Sequence, residues 1–151
     1  MTTLVQREYE MFSRQELIRF QHCDPAGIVF YPRYVEMLNA TVEDWFAEAV
    51  GTSFAEIHVT RKTAIPVVSL SINFRQVSRL GEILNFTVAV DRIGKTSVTL
   101  LINAESNGEV RLDARLTLVH IGLDDYRPRF WSDEIKFAMT NLNIWTSARL
   151  D

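Results

Sequence analysis

The stretch Pro32-Arg33-Tyr34-Val35-Glu36-Met37-Leu38-Asn39-Ala40-Thr41-Val42-Glu43-Asp44-Trp45-Phe46-Ala47-Glu48-Ala49 decides the fold class. Within it Tyr34, Met37, Leu38, Thr41, Val42, Trp45, Phe46 and Ala49 recur at spacings of three and four, which gathers them on one wide face of a helix. Pro32 suits the first turn, where its missing N–H is not needed, and Gly51 suits the C-terminal cap. The spacing predicts a helix of about five turns.

Downstream the period falls to two. Val68, Leu70, Ile72 and Phe74 alternate with polar residues, and so do Leu84, Phe86, Val88 and Val90. Val98, Leu100, Ile102 and Ala104 continue the pattern, followed by Val110, Leu112, Ala114, Leu116 and Leu118. Each run predicts a strand with one buried face. The connectors Arg79-Leu80-Gly81-Glu82, Ile93-Gly94-Lys95 and Asn107-Gly108 read as hairpins, so the four strands are expected to form an antiparallel meander. Arg14 to Phe20 can add a fifth strand upstream of the helix, and Ser132 to Leu142, opening on Ser132-Asp133-Glu134, a short C-terminal helix. An antiparallel sheet with one apolar face must cover it, and the long helix is what is available. Strands near ten residues exceed the usual ~5–6 and let a twisted sheet curl around that helix. The expected class is α+β, a hot-dog fold: a long central helix wrapped by a curved antiparallel sheet of about five strands.

Size and charge fit this reading. The chain has 151 residues, 47% hydrophobic, enough for one core and no evident linker, so residues 1–151 are read as a single domain. Residues 1–12 form an N-terminal extension and 132–151 a C-terminal helix and tail. Sixteen Lys and Arg against nineteen Asp and Glu leave a net charge of -3, which provides no overall drive toward nucleic acid or an anionic membrane. With one cysteine, Cys23, there is no internal disulfide, and with three histidines no ligand set for a structural zinc site. Met1 to Glu10 contain no apolar run suited to a signal peptide or membrane span. A cytoplasmic protein without metal is expected.

Chemistry is concentrated just before the helix, in Arg19-Phe20-Gln21-His22-Cys23-Asp24-Pro25-Ala26-Gly27-Ile28-Val29-Phe30-Tyr31-Pro32. Asp24 precedes a proline that extends it and a glycine that lets the backbone turn; Ile28, Val29 and Phe30 can desolvate it and raise its value as base or nucleophile. The loop ends where free N–H groups at a helix start can hold developing negative charge. Those of Tyr31, Arg33 and Tyr34 are nearest, Pro32 having none. An acid facing a helix start has the two parts needed for acyl transfer.

The run Cys23-Asp24-Pro25-Ala26-Gly27-Ile28-Val29-Phe30-Tyr31-Pro32-x-Tyr34 closely resembles the signature of hot-dog acyl-CoA thioesterases of the 4-hydroxybenzoyl-CoA thioesterase type. The resemblance extends over about residues 14 to 121, including Pro66-Val67-Val68-Ser69 and the hairpin around Lys95. It implies that Asp24 is the catalytic carboxylate, attacking the thioester or activating water, and that the Tyr31 N–H polarises the carbonyl. It also implies a homodimer or homotetramer with sites at subunit interfaces, where Ser69 to Arg75 can meet a neighbouring loop. Pro32 stands where a short-chain branch has His, which favours an aromatic acyl group. Coenzyme A, as part of the substrate rather than a cofactor, carries phosphates that call for basic residues. Lys95 matches the family's basic hairpin by position, and Arg92 lies close by. Gly27, Phe30, Asn39 and Ser69 complete the candidate binding set.

Each of these residues has a plainer reading. Asp24 can be an Asx-turn acid, His22 a loop-packing residue, Cys23 a small buried one. Phe30 and Tyr31 can anchor the helix start, and Asn39 can serve either the far end of an acyl pocket or a buried hydrogen bond. Glu36 and Glu43 are expected in solvent. Arg127, Arg129 and Trp131 are too few for a nucleic-acid patch and read as a packing strap, a subunit contact or a CoA-phosphate contact. Three functions remain open: a thioesterase for aromatic or for short- and medium-chain acyl-CoA, a hydratase or dehydratase acting on the acyl chain that would need His58 or His120 beside Asp24 across an interface, and a non-catalytic acyl-CoA-binding module or assembly scaffold.

Overall fold

The computed structural model describes residues 11–150, with side chains for 11–142; most of the expected N-terminal extension and Asp151 lie outside them. Strand β1 (Ser13–Leu17) leads through a short 3-10 turn at Phe20–His22 to helix α1 (Tyr31–Trp45), which continues as a π-helical turn to Val50. After a second such turn at Glu56–Thr60 come β2 (Thr63–Ala64), β3 (Val67–Phe74), β4 (Ile83–Ile93), β5 (Ser97–Ser106), β6 (Glu109–Val119) and β7 (Ile121–Gly122). Helix α2 (Asp133–Leu150) closes the chain. None of these helices is long and apolar enough to cross a membrane.

The expected architecture is present: α1 lies on a five-stranded antiparallel sheet. Tyr34, Met37, Leu38, Thr41, Val42, Trp45 and Phe46 are all buried, and they meet the inward rows Leu84-Phe86-Val88-Val90, Val98-Leu100-Ile102-Ala104 and Leu112-Ala114-Leu116-Leu118. Gly51 takes the left-handed conformation, φ 90°, and caps the helix through its N–H to the Phe46 carbonyl. Asn107 and Gly108 both have positive φ, as a two-residue type I′ hairpin requires.

Four expectations are corrected. First, the sheet order is β1-β4-β5-β6-β3, so β3 does not form a hairpin with β4. One flank of β4 is taken by its hairpin partner β5 and the other by β1, leaving β3 only the free side of β6. Residues 75–82 are therefore a crossover spanning three strand spacings, about 14 Å, which eight residues reach easily. Second, the apolar row of β3 is not buried: Val68 is 60% exposed, Leu70 41% and Phe74 51%. Third, Val110 faces outward and Arg111 inward, because the β5–β6 register shifts at Ala104/Glu105 and turns the start of β6 over. Fourth, the first strand ends at Leu17 rather than Phe20, while the C-terminal helix is longer than expected and buries Ile135 and Met139 against the core. Its Ser132 cap is as expected, the hydroxyl accepting the Ile135 N–H at 3.2 Å.

Candidate active site

Asp24 sits in a miniature hairpin. The Asp24 N–H donates to the Ile28 carbonyl (3.0 Å), Phe30 N–H to the His22 carbonyl (2.9 Å), and Cys23 bridges Val29. The tip is a turn closed by Gly27 N–H to the Asp24 carbonyl, 2.9 Å, with Gly27 at φ 77°. One carboxylate oxygen, Asp24 Oδ1, accepts the Ala26 N–H at 2.8 Å, so the acid forms the Asx turn that its plainer reading anticipates. That bond fixes the carboxylate's orientation and leaves Oδ2 outside it. His22 is buried; its Nδ1 accepts the Arg19 N–H at 2.8 Å and pins the start of the hairpin. Cys23 is half-buried and its thiol lies 3.5 Å from the Arg19 carbonyl.

The hairpin delivers the chain to α1, whose first residue is Tyr31. At this position Tyr31 has no helical acceptor behind it, and Pro32 has no N–H. The Arg33 N–H, a second oxyanion candidate from the sequence, is instead bound to the Phe30 carbonyl at 2.9 Å. Beside this helix start is a cleft of about 330 Å³ lined by Val29, Tyr31, Tyr34 and, from the crossover side, Phe74, Arg75, Gln76 and Val77. Its wall is aromatic: the Phe74 ring lies 5.7 Å from Tyr34 and 6.5 Å from Tyr31. Burial pushes the Tyr34 phenol above the usual tyrosine value. Phe30 is half exposed and meets Tyr31 edge to face. Asp24 is half-buried but does not line this cleft.

The remaining candidates lie elsewhere. Asn39 is exposed with Glu36 and Glu43 on the outward face of α1, so neither the pocket end nor the buried hydrogen bond expected for Asn39 exists within the chain. Lys95 and Arg92 are exposed at the β4–β5 turn, and Ser69, also exposed, pairs with Thr117 near the same end of the sheet. The Asp24 hairpin adjoins the opposite end, where Ile18 N–H bonds the Glu82 carbonyl and Ile28 bridges Arg79. Along β4 the two ends are roughly 33 Å apart at ~3.3 Å per residue. A single chain thus does not bring the two groups together.

At the Lys95 end Trp131 is buried, stacked on His120 with centroids 5.0 Å apart, its N–H bound to the Lys95 carbonyl and its indole Nε1 to the Ser97 carbonyl. Arg129 pairs with Asp124 and Asp125 (2.9 and 3.0 Å), and Arg127 is exposed beside it. His120 is buried there and His58 is exposed, neither beside Asp24 within the chain.

Sequence reasoning missed a cluster under the crossover. Arg111, 3% exposed, donates from both terminal nitrogens to Glu82 (2.7 and 3.0 Å) and from Nη1 to the Val77 carbonyl at 2.9 Å. This hydrogen bonding holds the Glu82 carboxyl at a pKa of about 2. An alternation count cannot reveal it, since the register shift moves Arg111 to the inner face.

Comparisons with known proteins bear on this geometry. A family model described as thioesterase superfamily matches residues 26–113. The fold is similar to that of a 1,4-dihydroxy-2-naphthoyl-CoA thioesterase from Synechocystis, at TM-score 0.79 and 18% identity over 88% of this chain and 98% of the other. It is also similar to a Staphylococcus aureus protein in complex with CoA (TM-score 0.83, 10% identity, 88% and 84%). A probable thioesterase from Escherichia coli gives TM-score 0.72 and 22% identity over 88% and 98%. No curated protein matches significantly by sequence.

Proposed function

The chain belongs to the thioesterase superfamily and is a thioester hydrolase, and from that premise we propose that it cleaves an aromatic acyl-CoA to the free acid and coenzyme A. The observation carrying this reading is the cleft at the start of α1, whose Tyr31, Tyr34 and Phe74 rings, set edge-on and tilted to one another, offer an aromatic wall to an aryl group beside the Tyr31 N–H. The naphthoyl-CoA substrate of the Synechocystis protein is of the same chemical class.

In this reading the thioester carbonyl oxygen faces the Tyr31 N–H, where the helix dipole stabilises the charge that develops on attack. Asp24, oriented by its bond to Ala26, supplies Oδ2. It either adds to the carbonyl carbon, expelling the CoA thiolate and leaving an anhydride that water then opens, or takes a proton from the water that adds. Both routes consume one water and release acid and thiol.

The phosphates of CoA fall to Lys95 and Arg92. Their distance from Asp24 is overcome in a homodimer. Strand β3 is an uncharged edge from Val67 to Phe74 with its apolar row exposed, and two such edges can pair antiparallel about a two-fold axis. The Phe74 end of one protomer then meets the Ser69 end of its partner, so that each site draws Asp24 and Tyr31 from one protomer and Ser69, Arg92 and Lys95 from the other.

A free-thiol assay over benzoyl, hydroxybenzoyl, phenylacetyl and medium-chain CoA esters tests this. Aryl esters are expected to give the highest kcat/KM, and Asp24→Asn to lose at least 100-fold while keeping its fold. A folded Asp24→Asn protein with full rate would sink the assignment of Asp24; tight binding without turnover by the unaltered protein would favour the binding-module reading.

A further inference from the structure

We propose that Arg111 is a positioning residue for the reaction, holding the β3–β4 crossover so that the aromatic cleft and the Asp24 hairpin keep one fixed relation. This inference rests on the hydrolase reading above.

The crossover is where the two halves of the candidate site touch. Its first residues, Arg75, Gln76 and Val77, line the cleft opposite Tyr31 and Tyr34. Its later residues hold the hairpin: the Ser78 carbonyl accepts the Val29 N–H at 2.9 Å, Leu80 N–H donates to the Gly27 carbonyl at 3.1 Å, and Arg79 bridges Ile28. A shift of this segment would move both.

Arg111 binds the segment along most of its length. Its carbonyl accepts the N–H groups of Arg75 (2.8 Å) and Gln76 (3.3 Å), and its Nη1 donates to the Val77 carbonyl. Through the two-pronged pair with Glu82 it fixes the far end, where Glu82 Oε1 also accepts the Arg79 N–H. Glu109 contacts the remaining guanidinium nitrogen, Nε, at 3.1 Å. A planar fork can serve a carboxylate and a carbonyl at once, which an ammonium group does not reproduce. Buried ion pairs contribute little net stability compared with apolar substitutes of similar volume. What the Arg111 and Glu82 side chains supply is therefore directional: the Val77 carbonyl and the Arg79 N–H held at set positions beneath a site where small displacements are costly to rate.

The decisive comparison is between Arg111→Met, the apolar pair Arg111→Met with Glu82→Leu, and Arg111→Lys. The single Met variant leaves Glu82 unpaired and is expected to melt lower. The double variant is expected to recover the parent melting temperature yet keep kcat at least tenfold down, with KM changed less than threefold because Lys95 and Arg92 of the partner subunit, to which the CoA phosphates are assigned, lie outside the altered segment. Arg111→Lys is expected to keep the fold and recover less than a third of the lost kcat. Hydrogen exchange provides a readout independent of turnover: the Val29 and Leu80 amides should exchange at least tenfold faster in the double variant, with β5 amides unchanged. Unaltered exchange at those two amides, or a folded double variant within twofold of parental kcat, overturns the positioning role. A parent that turns over no thioester while the exchange result holds overturns the hydrolase reading instead.

Discussion

Gly27 shows how narrow the tolerance around Asp24 is. A Cβ there would meet no atom within 4 Å, so the demand for glycine comes wholly from its φ of 77°. Gly27→Ala is expected to cost about 1 kcal/mol in chemical denaturation and to lower kcat by more than that loss implies, because the same turn orients the carboxylate. His120 offers a pH signature. Burial beside Trp131 pushes its pKa below the usual histidine value, with Arg129 and Arg61 adding to the effect. The folded state then binds this proton less readily than the unfolded one, so stability is intact above pH ~6.5 and declines as pH falls through that value. A melting-temperature series from pH 8 to 5 should show the decline, and His120→Gln should flatten it. The turn after Asp24 at Gly27 and the helix start at Tyr31 were legible in the sequence because their signals are local: proline, glycine and a helical pattern within eight positions. The inward placement of Arg111 was not, since it depends on a register shift that only the assembled sheet defines.

Helix α1 and strands β4 and β5 follow directly from periodicity, because each buries one face within its own chain. The same rule misleads for β3. Its alternation is as regular as that of β4, yet its apolar row is exposed, so periodicity reported an apolar face and not what covers it. Placing a charge on that row tests the proposed pairing: Leu70→Arg is expected to give a folded monomer in sedimentation equilibrium and at least a tenfold loss of hydrolysis. A Leu70→Arg dimer with full activity would remove β3 from the interface. The connection after β3 was misread for a related reason, since a short Gly-containing link looks the same in sequence whether it turns a hairpin or crosses the end of a sheet.

Among the described residues, both helices and the five-stranded sheet share a core whose largest fully buried side chains are Trp45, Phe46 and Phe86. Phe86→Ala is expected to cost about 3–5 kcal/mol, a large share of the ~5–15 kcal/mol margin of a folded domain, measurable by urea unfolding. The long strands that build this core also set the groups proposed for acyl chemistry and those proposed for the phosphates at opposite ends of the sheet. In the two-fold dimer proposed above, that separation makes defects complementary. An Asp24→Asn protomer and a Lys95→Ala protomer, each crippled on its own at low substrate, form a mixed dimer in which one site inherits both lesions and the other neither. Random reassociation of equal amounts should restore about a quarter of the wild-type sites.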